Sequence, residues 1–291
     1  DIAVIDDKIF KKKKISDRDF NLLTSEERVN QIIKNAQYYG YSGERVKGLI
    51  FCSRNKECEA LSEIFNNRGY RTIALSSNTP QTIRESAFER LAMNEEDATD
   101  DFQPLDYIFS VDILNEGVDI VEVNQIIMLR PTQSPIVFIQ QLGRGLRKAE
   151  GKEYVVILDF IGNYSNNFMI PVALSGDSSY NVDTIRKYVI SGNSTIPGAS
   201  TIHFDEISKE KIFHAIDHIT DGTLKKLIKD GYLTLKNKLG KQPMLIDFYN
   251  NKEIDPLVII KEYKTYYALV DDIEKTDATS NLSTQEQLPI E

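Results

Sequence analysis

Between residues 44 and 160 the sequence changes its period again and again, and few folds accommodate that. Gly48-Leu-Ile-Phe-Cys52, Arg71-Thr-Ile-Ala-Leu75, Tyr107-Ile-Phe-Ser-Val111, Gln125-Ile-Ile-Met-Leu129 and Tyr154-Val-Val-Ile-Leu158 read as five short buried strands. Longer stretches with helical spacing separate them. Asn55 to Arg68 places Cys58, Leu61, Ile64 and Phe65 on one face and is stopped by Gly69. Thr79-Pro80 supplies an N-cap and a first-turn proline for a helix running to about Met93, and Ser134-Pro135 caps another ending near Lys148. Strands alternating with helices require right-handed crossovers, so the predicted fold class is α/β, a parallel sheet covered by helices on both faces.

The flanks have a different texture. Lys11 to Lys14 form a short basic run, read as a solvated linker with phosphate contact as the alternative. A helix is predicted from about Ser25 to Tyr39, with Thr24 and Glu27 at capping-box spacing and Val29, Ile32, Ile33 and Ala36 recurring at helical intervals. Residues 94–106 carry six acids and no base and read as an exposed loop. Residues 161–202 are rich in Gly, Ser and Asn, with Pro171 and Pro197 as breaks and one helix near Asp183 to Ile190. Helical patterning returns from Ser208 to about Leu269.

Composition bounds the function classes. The chain has 291 residues, 41% of them hydrophobic and 27% charged, enough for a packed core. Net charge is −9, so nucleic-acid binding would need a local basic patch. The two cysteines, Cys52 and Cys58, exclude a disulfide framework, read as core residues and suggest a reducing, cytoplasmic compartment. No apolar run is long enough to span a bilayer, so no membrane partner is expected. The sequence starts at Asp1 without a signal-peptide pattern and without Met, and reads as a fragment with its upstream part missing.

No self-sufficient active site is present in the sequence. There is no G-x-x-x-x-G-K-[ST], G-x-G-x-x-G, G-x-S-x-G or H-E-x-x-H; Gly151-Lys152 and Gly240-Lys241 lack the rest of a phosphate loop. His214 and His218 stand at i and i+4, but no third ligand accompanies them and no metal site is predicted. The strongest signal is Gln140-Gln-Leu-Gly-Arg-Gly-Leu-Arg147 on the helix after the fourth strand. Gln140, Arg144 and Arg147 share one face, and Ile139, Leu142 and Leu146 another. Gly143 and Gly145 each cost a helix about 1 kcal/mol relative to Ala, which suggests a close approach to the backbone. Paired guanidinium forks suit a triphosphate; the plain alternative is a surface helix with ordinary salt bridges. The second signal, Ser110 to Asp119, runs from the third strand into the following loop, where open α/β sheets bind ligands. Asp112 and Asp119 could serve a ribose, a metal-bound water or an arginine, and Gly117 an unusual backbone conformation.

In this order and spacing the segments resemble the second RecA-like domain of superfamily 2 helicases and translocases. Leu49-Ile-Phe-Cys-Ser53 with the helix after it resembles motif IV, Ser110 to Asp119 motif V, and Gln140 to Arg147 motif VI in its Q-x-x-G-R-x-x-R form. The resemblance covers residues 44–160, about 40% of the chain. The motif VI form is more typical of DNA-directed members than of DEAD-box RNA helicases. Phe20 to Gly48 and Ile157 to Tyr164 look similar to large bacterial helicase-like proteins of the DEAD/DEAH-box type. In those the motor precedes a poorly characterised C-terminal region and can follow a phospholipase-D-like nuclease domain.

The resemblance implies a RecA-like parallel sheet sandwiched by helices and an ATP-dependent motor. Its ATP site, with Mg²⁺, lies between two such domains, and the metal is held mainly by an upstream domain of the same polypeptide that this chain lacks. Carried over by position, Arg144 and Arg147 are the finger candidates for charge building on the γ-phosphate. Gln140, Gly143, Gly117 and Asp119 would face the nucleotide. Ser53, Arg54, Ser110 and Asp112 would lie near the backbone of a nucleic acid, DNA in preference to RNA. This chain alone is expected to hydrolyse no ATP. The predicted organisation is a leader and linker helix over 1–43, the RecA-like domain over 44–165, an irregular connection over 166–205, a small helical accessory domain over 206–270, and a polar, disordered tail over 271–291. Within the accessory domain Lys225, Lys226, Lys229, Lys236, Lys238 and Lys241 crowd one stretch around Tyr232, which suits contact with DNA phosphates, with a solvated helix packing on the motor as the alternative. A non-catalytic module that binds nucleic acid or protein through a degenerate RecA-like fold is the alternative to a motor half. Another α/β nucleotide enzyme is a third reading: Val155 to Asp159 looks like a Walker B strand, but no phosphate loop precedes it, so Asp159 reads as structural or interdomain.

Overall fold

The computed structural model describes residues 16–111, 120–130, 149–160, 168–191, 202–218, 221–251 and 253–285. The chain divides into two compact units, one holding the described residues up to Phe160 and the other those from Phe168 onward.

The first unit contains helices α1 (Asp17–Leu23) and α2 (Glu26–Tyr39), strand β1 (Gly48–Phe51), helix α3 (Asn55–Asn67), strand β2 (Thr72–Leu75), helix α4 (Gln81–Ala92), and strands β3 (Tyr107–Ser110), β4 (Gln125–Met128) and β5 (Val156–Asp159). The strands form one wholly parallel sheet in the order β2-β3-β1-β4-β5. Each lies where the apolar runs place it. The three inner strands are buried at every position, as a sheet covered on both faces requires. Ile50, Cys52, Phe109, Ile127 and Leu129 form a core with Val29, Ile32 and Ala36 of α2 and Cys58, Leu61 and Phe65 of α3. Gly48 has to be glycine, because a Cβ there would lie 2.2 Å from the ring of Tyr107.

Several sequence expectations move by a residue or more. The cap of α2 is Ser25, whose hydroxyl accepts from Arg28 N, and not Thr24. Pro80 occupies the N-cap of α4, and Thr79 instead accepts from Ser76 N to close the preceding turn. The leader forms an additional helix, α1. The acidic stretch 94–106 is exposed at its start and through its middle but not at its end. Asp106 is buried between Arg45 and Arg71, and the exposed Glu95 pairs with the same two arginines, cationic side chains that the stretch itself lacks.

The second unit is helical: α5 (Met169–Ser175), α6 (Val182–Ser191), α7 (Glu206–Asp217), α8 (Asp221–Leu239), α9 (Leu245–Asn250), α10 (Pro256–Tyr263) and α11 (Tyr266–Gln285). Pro171, read as a break, lies in the first turn of α5, where its missing N–H leaves no helical bond unmade. Where disorder is expected from residue 271, α11 continues to Gln285, and the rest of the expected tail, 286–291, lies outside the described residues. Buried Leu269 and Ile273 anchor that helix. The ion pairs Lys229–Asp272 and Lys236–Glu274 tie it to α8, and Lys275–Asp271 adds an i,i+4 pair.

Candidate functional site

The sheet aligns the C-terminal ends of its strands. Phe51 is in register with Ser110 on one side and Met128 on the other, and Met128 with Asp159. Backbone bonds carry the ladder one residue further: Cys52 N donates to Ser110 O (2.9 Å), Leu129 N to Phe51 O (2.8 Å) and Phe160 N to Met128 O (3.1 Å). The turn Cys52–Arg54 therefore leaves the same edge as Val111 and Arg130. These are the last described residues before the two motif-bearing segments 112–119 and 131–148.

Asp112, Gly117, Asp119, Gln140, Gly143, Arg144 and Arg147, like Lys11 to Lys14, lie outside the described residues. Ser53, Arg54 and Ser110 lie within them. Ser110 is fully buried, so in this conformation its side chain offers nothing to a phosphate at the surface. Ser53 has both of its donors engaged by one carboxylate: its N–H (3.0 Å) and its hydroxyl (2.6 Å) donate to Glu57 Oε2. Arg54 Nη1 in turn donates to Ser53 Oγ (3.2 Å). Of the three, only Arg54 presents a partly exposed cationic group.

Sequence reasoning missed the residues that hold this turn. Glu57 is completely buried, on the first turn of α3, and its other oxygen accepts from Arg28 Nη1 at 2.9 Å. Arg28 Nη1 also donates to Leu23 O at the end of α1, and Nη2 to Leu129 O at 3.1 Å. A buried carboxylate is tolerable only when its charge and lone pairs are met, and this arrangement meets them. Removing one partner alone would strand the other at a cost of about 3–5 kcal/mol. A sequence signal existed. Glu57 sits four residues before Leu61 and eight before Phe65, and Arg28 four before Ile32 and eight before Ala36, so each charge interrupts an apolar stripe.

Among the described residues a second carboxyl stands at this edge, that of Asp159 at the end of β5. Its Oδ2 is buried without a hydrogen-bond partner, and burial pushes its pKa up to about 7. Burial likewise raises the Cys52 thiol, which with Cys58 forms part of the core as free cysteine. Among the described residues no group of three or more His, Cys, Asp or Glu side chains is placed to hold a metal ion. Glu57 is already neutralised by Arg28, so a divalent cation at this edge would have to draw its carboxylates from elsewhere. His214 and His218 are exposed and stack on each other with ring centroids 4.2 Å apart, as surface residues.

In the second unit the lysine-rich stretch of α8 is largely occupied. Lys229 and Lys236 pair with Asp272 and Glu274 of α11, Lys238 donates to Asn251, and Lys225 lies over the ring of Tyr263. Tyr232, expected among exposed lysines, is fully buried. No helix among the described residues is long and apolar enough to cross a membrane.

The helicase conserved C-terminal domain family matches residues 27–149, and a family described only as a domain of unknown function matches residues 228–291. A curated relative, "Putative ATP-dependent helicase IRC3" of Saccharomyces cerevisiae, is 25% identical over 162 residues, covering 55% of this chain. The match spans 22% of that protein's length. Similar solved structures include the ATP-dependent Type ISP restriction-modification enzyme LlaBIII bound to DNA (17% identity, 84% of this chain and 19% of that one, TM-score 0.45). Another is Mss116p DEAD-box helicase domain 2 bound to an RNA duplex (15% identity, 87% and 83%, TM-score 0.39).

Proposed function

We propose that this chain, whose residues 27–149 match the helicase conserved C-terminal domain family, is the second RecA-like half of an ATP-dependent superfamily 2 DNA helicase or translocase. The observation that carries the reading is the common strand edge. The Cys52–Arg54 turn, Val111 and Arg130 leave it together, so motif IV and the chain leading into the segments that carry motifs V and VI depart from one side of the sheet. Ligands of open α/β sheets bind at that side.

In this reading Arg144 and Arg147 hold the γ-phosphate and stabilise the charge that builds on it. Gln140 supports the triphosphate, and Gly117 and Asp119 face the nucleotide. ATP with Mg²⁺ supplies the reacting phosphoryl group, its metal held by an upstream RecA-like domain of the same polypeptide. Arg54 and the segment beginning at Asp112 contact the nucleic-acid backbone, with Ser53 orienting Arg54 and not touching phosphate itself. The preference for DNA rests on the Q-x-x-G-R-x-x-R form of motif VI, and cytoplasmic action on the free, buried cysteines.

The test is ATP hydrolysis by the intact protein without nucleic acid and with single-stranded DNA, duplex DNA or RNA, alongside Arg144→Ala. Turnover stimulated by DNA and lost in Arg144→Ala supports the motor and its finger. Normal turnover in the variant removes the finger assignment. No turnover under any condition replaces the motor with a non-catalytic binding module.

A further inference from the structure

We propose that Arg28 is a positioning residue that locks the nucleic-acid turn after β1 to the strand leading into the arginine segment, through one guanidinium shared by Glu57 and Leu129. This inference rests on the motor reading above and assigns a part to Arg28, outside the three motifs, and to Glu57 on the helix of motif IV.

The guanidinium joins three elements distant in sequence. Through Glu57 it reaches the Ser53 N–H and hydroxyl, and through Ser53 the guanidinium of Arg54. Through Nη2 it reaches Leu129 O, two residues before the segment carrying Gln140, Arg144 and Arg147 begins. Through Nη1 it holds Leu23 O, where α1 ends. The geometry is directional. Glu57 accepts the Ser53 hydroxyl proton, so Ser53 Oγ turns its lone pairs to Arg54 and fixes where that cation stands. A displacement of Leu129 is transmitted to Arg54 through four polar contacts, all at 2.6–3.2 Å. No apolar side chain could substitute, because the chain of contacts ends on a backbone carbonyl at one side and a hydroxyl at the other. A lysine keeps the charge but has no fork with which to hold Glu57 and Leu129 together.

The experiment compares the intact wild-type protein with Arg28→Lys and Glu57→Gln, using single-stranded oligothymidylate as the probe. Three quantities are read: the melting temperature, the ratio of stimulated to unstimulated ATP turnover, and the oligothymidylate affinity by fluorescence anisotropy. A positioning role lowers the ratio at least fivefold and weakens oligothymidylate binding severalfold in Arg28→Lys, in protein that still melts cooperatively. Glu57→Gln keeps an acceptor for Ser53 but releases Arg28, and should reproduce the loss. A merely structural role would lower both turnovers in parallel, leaving ratio and affinity unchanged in the folded fraction, and would overturn the proposal. If wild type shows no turnover, the motor reading fails on its own account. The affinity comparison then still decides the positioning claim, and equal affinities overturn it.

Discussion

Asp106 accepts from Arg71 twice, from the backbone N–H at 2.8 Å and from Nη2 at 3.1 Å, so one carboxylate fixes both the start of β2 and the side chain above it. The same carboxylate faces Arg45, whose guanidinium also donates to the carbonyls of Leu91, Met93 and Leu105. Both Asp106 and Arg45 are buried, and burial pulls the Arg45 pKa down. Asp106→Ala should therefore destabilise the domain by about 3 kcal/mol, by stranding a buried cation. Glu95→Gln, at an exposed carboxylate on the same arginines, should cost no more than about 1 kcal/mol. Urea unfolding of the two variants reads the contrast directly.

Asn124 offers a second stability test with no charge involved. Its Oδ1 accepts from Lys47 N at 2.8 Å, and its Nδ2 donates to Ser42 O (2.6 Å) and Arg45 O (2.8 Å). The side chain is buried and stitches the approach to β1 onto β4. Asn124→Ala leaves three buried backbone groups unmet and should cost about 3 kcal/mol with an unchanged denaturant slope. Asn124→Asp, which turns a carboxylate toward two carbonyls, should be worse at neutral pH and recover partly on acidification.

The core of the first unit was legible because its strands are short continuous apolar runs and its helices carry apolar residues at helical spacing. Gly48–Phe51, Tyr107–Ser110 and Gln125–Met128 are buried throughout, while Cys58, Leu61 and Phe65 repeat along a helix, and each pattern allows one placement. What escaped were polar groups whose roles depend on partners far along the chain. Glu57 meets Arg28 across 29 residues, and Gln125 caps α2 by donating to Ala36 O and Gly40 O, more than 80 residues away. No local pattern specifies such a partner, although a charge inside an apolar stripe announces that one is needed. The helix over the start of the expected tail was hidden for a related reason: the segment beyond Asp271 is polar, and its partners Lys229 and Lys236 lie on another helix, more than 30 residues earlier. Of the candidate site, motif order was readable, but the engagement of Ser53 and the burial of Ser110 were not.

Asp159 makes stability depend on pH. An unfolded aspartate titrates near 3.8, whereas burial of Oδ2 lifts the folded value to about 7. The folded state thus holds its proton longer than the unfolded state. The contribution of Asp159 to stability is greatest below pH 4, falls as pH rises toward 7, and is flat above, where both states are ionised. Asp159→Asn removes this contribution. The stability of wild type relative to the variant should decline by about 3 kcal/mol between pH 4 and 7 and then stay constant. Parallel curves for the two proteins across that range would show that the carboxyl finds a partner or water in solution.

The lysines of α8 are where stability and nucleic-acid binding make opposite forecasts. Lys229 and Lys236 each lie 2.9 Å from an acid of α11, and the Lys229 contact holds the Asp272 carboxyl below its usual range. All four side chains are partly solvated, so each pair contributes at most about 1 kcal/mol. Lys229→Gln with Lys236→Gln should lower the stability of the helical unit by about 1 kcal/mol, and high salt should abolish the difference from wild type. A lysine that neutralises a DNA phosphate behaves otherwise: its loss reduces the slope of log affinity against log salt by about one. Because these two are already neutralised within the protein, the double variant should leave that slope unchanged. A slope lower by about two would mean that DNA displaces Asp272 and Glu274 and takes their lysines.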